Sequence, residues 1–144
     1  MNVSKKLEYV LFIAWATSFV ATSGSLFLSE IMKYEPCTLC WYQRIFMYPL
    51  VILLGIGIVK KDYKISIYSL FISSIGICIS IYHYLIQKVP SLSKNLTCGR
   101  VPCTGDFLDW FGFITIPLLC LIAFLIIIIC SSILIKVNKE IRTI

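Results

Sequence analysis

Four long apolar runs occupy most of this 144-residue chain, and they restrict its fold more than any other feature. They lie at about 7–29, 41–59, 65–86 and 112–135. A transmembrane helix needs roughly 20 mostly apolar residues, because it must cross about 30 Å of hydrocarbon at about 1.5 Å per residue. The sequence therefore predicts an all-α membrane protein, with one integral membrane domain folded as a bundle of four transmembrane helices.

The composition supports this prediction and excludes two other classes. Hydrophobic residues make up 59% of the chain and charged residues 14%, whereas a soluble domain carries about 25% charged residues. Intrinsic disorder requires low hydrophobicity, so it is excluded. The net charge of +6 does not indicate nucleic-acid binding, because Lys and Arg form short clusters beside the apolar runs. We expect membrane lipid, and no nucleic acid, as a partner.

The Lys and Arg residues are divided unequally between the two sides of the predicted bundle. Eight lie on one side: Lys5, Lys6, Lys60, Lys61, Lys64, Lys136, Lys139 and Arg142. Five lie on the other: Lys33, Arg44, Lys88, Lys94 and Arg100. Because the richer side faces the cytoplasm, both termini are predicted to be cytoplasmic and the loops at about 30–40 and 87–111 extracytoplasmic. The first run is too long for the core of a cleaved signal peptide, so we expect a retained helix.

Two of the runs carry patterns that favour helix packing. In the first run Ala14, Ser18, Ala21 and Ser25 follow one another at intervals of three or four residues, which makes a stripe that another helix can approach closely. The third run, 65–86, mixes Ile with Ser. This mixture predicts a helix with a polar face turned into the bundle.

The seven cysteines fall into two groups by position. Three lie inside apolar runs and are expected to pack as small apolar side chains: Cys78, Cys120 and Cys130. The other four form two sequence-adjacent pairs in the predicted extracytoplasmic loops: Cys37 and Cys40, then Cys98 and Cys103. Disulfides persist outside the cytoplasm, so two disulfides are the simplest expectation, although four cysteines allow three connectivities.

A zinc site built from all four loop cysteines is the competing interpretation. Structural zinc is often held by cysteines about two to four residues apart, so both spacings are suitable. The oxidising side of the membrane, however, favours disulfides over metal thiolates. We therefore predict no metal site.

The spacing of Cys37 and Cys40 indicates redox chemistry. Residues three apart on a helix share one face, within the reach of a disulfide. Pro36 ends any preceding helix, so the pair is expected to open the second transmembrane helix, where free N–H groups and the helix dipole favour a thiolate. A disulfide across so short a loop adds little stability, which favours a catalytic role over a structural one. Cys98 and Cys103 lie in a loop of about 25 residues, a length that is usually functional or disordered.

The run from Cys37 to Pro49, Cys-Thr-Leu-Cys-Trp-Tyr-Gln-Arg-Ile-Phe-Met-Tyr-Pro, resembles the DsbB family, and its shorter BdbC-like branch most of all. The segments 98–103, 110–117 and 81–87 also resemble that branch. These are bacterial inner-membrane proteins that reoxidise a thioredoxin-fold disulfide donor and pass its electrons to quinone. The resemblance covers the four-helix layout and both cysteine pairs, and so most of the chain.

The resemblance implies a catalytic role for each loop cysteine. Cys98 would be attacked by the thiolate of the reduced partner, and the released Cys103 would attack Cys37. Cys40 would then be left as the thiolate that meets the quinone. In the better-known branch the second pair is much farther apart in sequence, whereas four residues separate it here. The order of exchange between the loops, and the sulfur that is attacked first, therefore stay open.

The resemblance also implies that Arg44, His83 and Gln87 bind the quinone, either ubiquinone or menaquinone. Arg44 lies one helical turn after Cys40, where it would stabilise a thiolate and negative charge on a reduced quinone oxygen. A snorkelling membrane anchor is the alternative for Arg44. His83, the single histidine, would donate a proton or hydrogen bond, or would simply cap the bundle.

The resemblance, together with the two cysteine pairs, implies a quinone-dependent protein-disulfide oxidoreductase of the bacterial plasma membrane. Its expected partner is a thioredoxin-fold thiol oxidase of the DsbA or BdbD kind. Two alternatives stay open from the sequence. One is a quinone-coupled thiol enzyme like vitamin K epoxide reductase, and the other is a non-catalytic four-helix scaffold with structural disulfides.

Overall fold

The computed structural model describes residues 2–33, 35–89 and 116–143. Within these ranges the chain is almost entirely helical. The four helices are α1 (Val3–Glu30), α2 (Thr38–Lys60), α3 (Ile65–Lys88) and α4 (Ile116–Thr143). Each is long and apolar enough to cross a membrane. The predicted all-α architecture of four membrane-spanning helices is confirmed.

The helices pack in a ring, with α1 against α2 and α4, and α3 against the same two neighbours. The core is apolar and draws on α1, α2 and α4, with these buried members: Leu7, Leu11, Ala14, Met47, Leu50, Leu54, Ala123, Phe124, Ile127, Cys130 and Leu134. Large apolar side chains also cover the outer surface, for example Val20, Val59 and Phe71. Such a surface fits a bundle whose outer face contacts lipid, where exposed apolar groups carry no hydrophobic penalty.

Helix α3 turns its polar face inward, as its Ile and Ser pattern predicts. Four serines at intervals of three, four and seven residues are fully buried: Ser66, Ser69, Ser73 and Ser80. Ser69 Oγ lies 2.8 Å from Ser131 Oγ of α4, so a hydroxyl hydrogen bond joins the two helices. Hydrogen bonds between small polar side chains are a common means of helix association inside a membrane.

The connection between α2 and α3 is a tight turn at the end of the bundle away from Cys37. Lys61 adopts a left-handed conformation with φ 52°, and the Asp62 N–H donates to the Gly57 carbonyl at 3.1 Å. Lys61 Nζ also lies 2.7 Å from Glu8 Oε1 at the surface. This ion pair brings the start of α1 to the turn, so both lie at the same end of the bundle.

The helices extend beyond the predicted apolar runs at several ends. Helix α2 begins at Thr38 because Cys37 caps it, and α4 continues to Thr143 past the last apolar residues. Charged residues propagate a helix once it has formed, so the apolar run marks the membrane-embedded part and not the helix ends. The predicted start of the fourth run at 112 lies outside the described residues, and the predicted cytoplasmic location of the termini stays a prediction.

Candidate functional site

The first turn of α2 holds Cys37 and Cys40 together, as their spacing predicts. Cys37 is the N-cap residue, with extended backbone at φ −67° and ψ 167°. Its Sγ accepts a hydrogen bond from the Cys40 N–H at 3.4 Å, which satisfies one of the free donors at the helix start. Pro36, directly before the cap, fits the observation that the helix starts no earlier.

The two sulfur atoms are close enough to form a bond with little rearrangement. Cys37 Sγ and Cys40 Sγ lie 3.1 Å apart, and both residues are free thiols in this structure. A disulfide requires about 2.05 Å between the sulfurs. Small rotations of the two side chains therefore bring the sulfurs to bonding distance, so the geometry allows a disulfide to form when an oxidant takes up two electrons and two protons.

His83 of α3 contacts this pair from the neighbouring helix. Its side chain is 1% exposed, and its Nε2 atom lies 3.5 Å from Cys37 Sγ. Three groups lower the pKa of the Cys37 thiol: the Cys40 thiol first, then His83, then the Cys40 N–H. Burial opposes them, but the net pKa still lies below the usual range. His83 thus lies beside Cys37, the capping cysteine, and its Nδ1 atom has no partner among the described residues.

Arg44 lies one turn after Cys40 and points into the bundle. The residue is 8% exposed, so it faces the bundle interior and not the outer surface. Arg44 Nε donates to Ser25 Oγ of α1 at 2.7 Å, and Nη2 donates to the Ser25 carbonyl. The guanidinium carbon also lies 5.7 Å from the centre of the Trp41 ring. The small-residue stripe of α1 provides the room for this contact, since Ser25 belongs to it.

An apolar groove runs between α1 and α4 and reaches Ser25, the partner of Arg44. Its volume is about 550 Å³, and its lining includes Gly24, Ser25, Leu119 and Cys120. A Cβ atom added at Gly24 would meet nothing within 4 Å, so the groove is open at that point. The groove therefore opens on the apolar surface of the bundle and extends to the serine that binds Arg44.

Gln87 lies one turn after His83 on α3, and its Oε1 atom is buried without a partner among the described residues. Sequence reasoning missed a second glutamine, Gln43, which is 2% exposed and donates from Nε2 to Ser80 Oγ at 3.3 Å. The sequence does carry a signal for Gln43. It is an uncharged polar residue within a membrane-embedded helix, and such residues normally face the bundle interior. Gln43 and Arg44 are adjacent in sequence and bind different neighbours, α3 and α1 respectively.

The other cysteines are more scattered. Cys130 is buried in the apolar core, and Cys120 packs against that core, as expected for small apolar side chains. Cys78, in contrast, is exposed on the outer surface. Cys98 and Cys103 lie outside the described residues. Their approach to Cys37 accordingly stays a prediction.

Comparison with known proteins identifies the family. A family model described as "Disulfide bond formation protein DsbB" matches residues 7–134. The chain belongs to the DsbB family. The resemblance seen in the Cys37 to Pro49 run is thus confirmed, and membership implies a multi-pass membrane protein that acts as a thiol–disulfide oxidoreductase.

Named relatives of this DsbB-family chain match it over most of their length. "Probable disulfide formation protein C 1" of Bacillus anthracis is 64% identical over 140 residues, which cover 96% of this chain and 100% of the relative. "Disulfide bond formation protein C" of Bacillus subtilis (strain 168) is 52% identical over 125 residues, covering 86% and 91% respectively. No solved structure matches the chain.

Proposed function

We propose that this protein reoxidises an extracytoplasmic thioredoxin-fold thiol oxidase of the DsbA or BdbD kind and passes the electrons to ubiquinone or menaquinone. The proposed location is the bacterial plasma membrane, and the proposed result is disulfide formation in exported proteins. The observation that carries the proposal is the Cys37 and Cys40 pair, with sulfurs 3.1 Å apart at a helix N-terminus and a buried arginine one turn away.

The proposed relay moves two electrons through two cysteine pairs. A thiolate of the reduced partner attacks the disulfide between Cys98 and Cys103, and the partner leaves as a disulfide. Cys103 then attacks Cys37, which forms a disulfide between Cys37 and Cys103 and releases Cys40 as a thiolate. Cys98 next attacks Cys103, which restores the loop disulfide and leaves Cys37 and Cys40 as a dithiol. Each step is a thiolate attack on a disulfide, so its direction depends on the relative reduction potentials.

The residues around Cys40 fit a quinone, which when bound would accept two electrons and two protons. The groove between α1 and α4 provides an apolar path from the lipid, and its lining includes Ser25, to which Arg44 donates two hydrogen bonds. A buried guanidinium at that point stabilises negative charge that develops on a reduced oxygen. We assign Arg44 to this task and Cys40 to electron donation.

We propose that the main role of His83 is its contact with Cys37 and that quinone binding is its second role. Its Nε2 atom lies 3.5 Å from Cys37 Sγ, where it orients the sulfur that Cys103 attacks. His83 Nδ1 and Gln87 Oε1 are buried on adjacent turns of α3 and have no partner within 2–33, 35–89 and 116–143, so they can bind a polar group that enters the site. Buried polar atoms without partners are uncommon and mark a site where a ligand or a movement completes the hydrogen bonding.

Quinone reduction by the purified protein tests this function. The reaction is driven by a reduced thioredoxin-fold dithiol and followed by quinone absorbance, for the unmodified chain, for Cys40→Ser and for Cys78→Ser. We expect turnover by the unmodified chain and by Cys78→Ser, because Cys78 lies on the outer surface. Cys40→Ser should show none, because serine cannot form the disulfide.

Two results would contradict the proposal. A non-catalytic scaffold with structural disulfides would give no quinone reduction with any donor. Equal turnover by Cys40→Ser and the unmodified chain would remove Cys40 from the electron path.

A further inference from the structure

The Cys37–Cys40–His83 cluster brings three metal-ligating side chains to one point. One potential ligand atom from each residue lies within 4.8 Å of the other two. Cys37 Sγ is 3.1 Å from Cys40 Sγ and 3.5 Å from His83 Nε2. Tetrahedral zinc, with bonds of about 2.3 Å to sulfur and about 2.0–2.1 Å to nitrogen, sets its ligand atoms roughly 3.5–3.8 Å apart. The two sulfurs therefore need to move apart by roughly 0.4–0.7 Å to hold such an ion, whereas Cys37 Sγ and His83 Nε2 already lie at a suitable separation.

We propose that the dithiol form of the protein binds one Zn²⁺ ion at the Cys37–Cys40–His83 cluster, with a fourth coordination position left open. Two thiolates and one imidazole form a donor set typical of zinc. The sulfurs come from the first turn of α2 and the imidazole from α3, so helix packing assembles the site before the ion arrives. This set differs from the four-cysteine site considered from the sequence, since it uses the histidine and only one cysteine pair.

Charge and burial favour the ion in this position. Cys37 is 7% exposed and His83 is 1% exposed, so charge placed on them alone is poorly solvated. Binding converts two thiols and Zn²⁺ into two zinc–sulfur bonds and two released protons. The product of two thiolates, one neutral imidazole and one dication has no net charge. A neutral cluster suits a buried position at the end of a membrane bundle.

Gln87 is placed to orient His83 for this role. A ligating histidine normally donates its second ring N–H to an acceptor, which fixes the tautomer. His83 Nδ1 and Gln87 Oε1 are both buried without partners in the described part of the chain, and the residues are four apart on α3. A rotation of the Gln87 side chain would pair these two atoms. Gln87 is thus a positioning residue for the metal site.

The proposed site exists in only one redox state. A disulfide between Cys37 and Cys40 removes both thiolates, so the oxidised protein cannot bind the ion. Conversely, bound Zn²⁺ occupies the sulfur electron pairs that would attack another disulfide or reduce an acceptor. Zinc is therefore expected to hold the protein in its dithiol form, and a chelator is expected to release it.

Metal titration tests the proposal without relying on enzyme turnover. The full chain carries Cys98→Ser and Cys103→Ser so that loop thiols do not compete, and it is titrated with Zn²⁺ or Cd²⁺ as dithiol and as disulfide. Thiolate-to-cadmium charge-transfer absorption reports the bound ion. We expect one ion per chain in the dithiol form and none in the disulfide form. Adding His83→Ala to this variant should weaken binding at least tenfold, and adding Gln87→Leu should weaken it roughly tenfold or more. Adding Cys78→Ser should leave the affinity unchanged.

X-ray absorption of the zinc-loaded dithiol form, with His83 intact, gives a second test that does not depend on the folding of a histidine variant. The expected first shell contains two sulfurs at about 2.3 Å and one imidazole nitrogen at about 2.0–2.1 Å. The proposal is overturned by a dithiol form that takes up no ion, by an ion without imidazole in its shell, or by equal uptake in the dithiol and disulfide forms. Loss of quinone turnover alone would bear on the proposed function and not on the metal site.

Discussion

At the scale of single residues, the position of the Arg44 charge is fixed by one serine of the neighbouring helix. Ser25 accepts hydrogen bonds from two different nitrogens of the guanidinium, one at its hydroxyl and one at its carbonyl. Lysine offers a single ammonium group in place of this planar fork, so it cannot reproduce both contacts from one fixed position. Substitutions at Arg44 can therefore separate the effect of the positive charge from the effect of its fixed position.

We predict that Arg44→Lys lowers quinone turnover about tenfold and that Arg44→Met lowers it about a hundredfold or more. Lysine keeps the charge but loses the double contact with Ser25, whereas methionine removes the charge. Steady-state rates with a saturating thiol donor measure both effects. Full activity in Arg44→Met would contradict the assigned role, and donor-to-protein thiol exchange, which needs no quinone, provides the control.

At the scale of the helices, close packing of α3 on α4 depends on the absence of a side chain at Gly76. A Cβ atom there would lie 2.5 Å from the Phe124 ring, which is itself fully buried. Because the ring is fully buried, it must shift against its core neighbours to admit a Cβ atom at Gly76. Gly76 therefore lets α4 approach the serine-lined face of α3.

We predict that Gly76→Ala destabilises the bundle by about 1–3 kcal/mol, because the added methyl group overpacks the core against Phe124. Gly24→Ala is the matched control, since a Cβ atom at Gly24 meets nothing within 4 Å. Its expected effect is neutral or stabilising by at most about 1 kcal/mol. Thermal unfolding of both variants in the same detergent gives the comparison, and equal melting temperatures would show that Phe124 adapts freely.

The groove between α1 and α4 leads to a second prediction at this scale. Gly24→Leu places a large side chain in the open part of the groove, so we expect the KM for quinone to rise several-fold. The rate of thiol exchange with the donor should stay unchanged, because Cys37 lies outside the groove lining. Steady-state kinetics with varied quinone give the KM, and an unchanged KM would mean that quinone reaches Cys40 by another route.

At the scale of the whole molecule, the orientation in the membrane rests on the distribution of Lys and Arg. We predict that Asp62→Cys, in the turn between α2 and α3, reacts with a membrane-impermeant maleimide only after the cell membrane is permeabilised. Lys33→Cys, at the opposite end of the bundle, should react in intact cells. Native cysteines are replaced by serine in both variants. The reverse labelling pattern would invert the predicted topology.

Much of the architecture was predictable from the sequence because it depends on local properties. Apolar run length predicts the four helices, the spacing of Cys37 and Cys40 predicts a shared helical turn, and the serines predict the inward face of α3. The contacts between helices were harder to predict from the sequence. The approach of His83 to Cys37 and the pairing of Arg44 with Ser25 depend on how each helix is rotated about its axis, which packing decides and which spacing along one run does not encode.

The proposed function requires the pair of Cys37 and Cys40 to deliver electrons directly to quinone. The most direct test is a single turnover by the pre-reduced Cys98→Ser and Cys103→Ser double variant, mixed with quinone in the absence of any thiol donor. We expect about one quinone to be reduced per chain and two thiols to be lost as the disulfide between Cys37 and Cys40 forms. Quinone that stays oxidised while the folded protein keeps both thiols would contradict it.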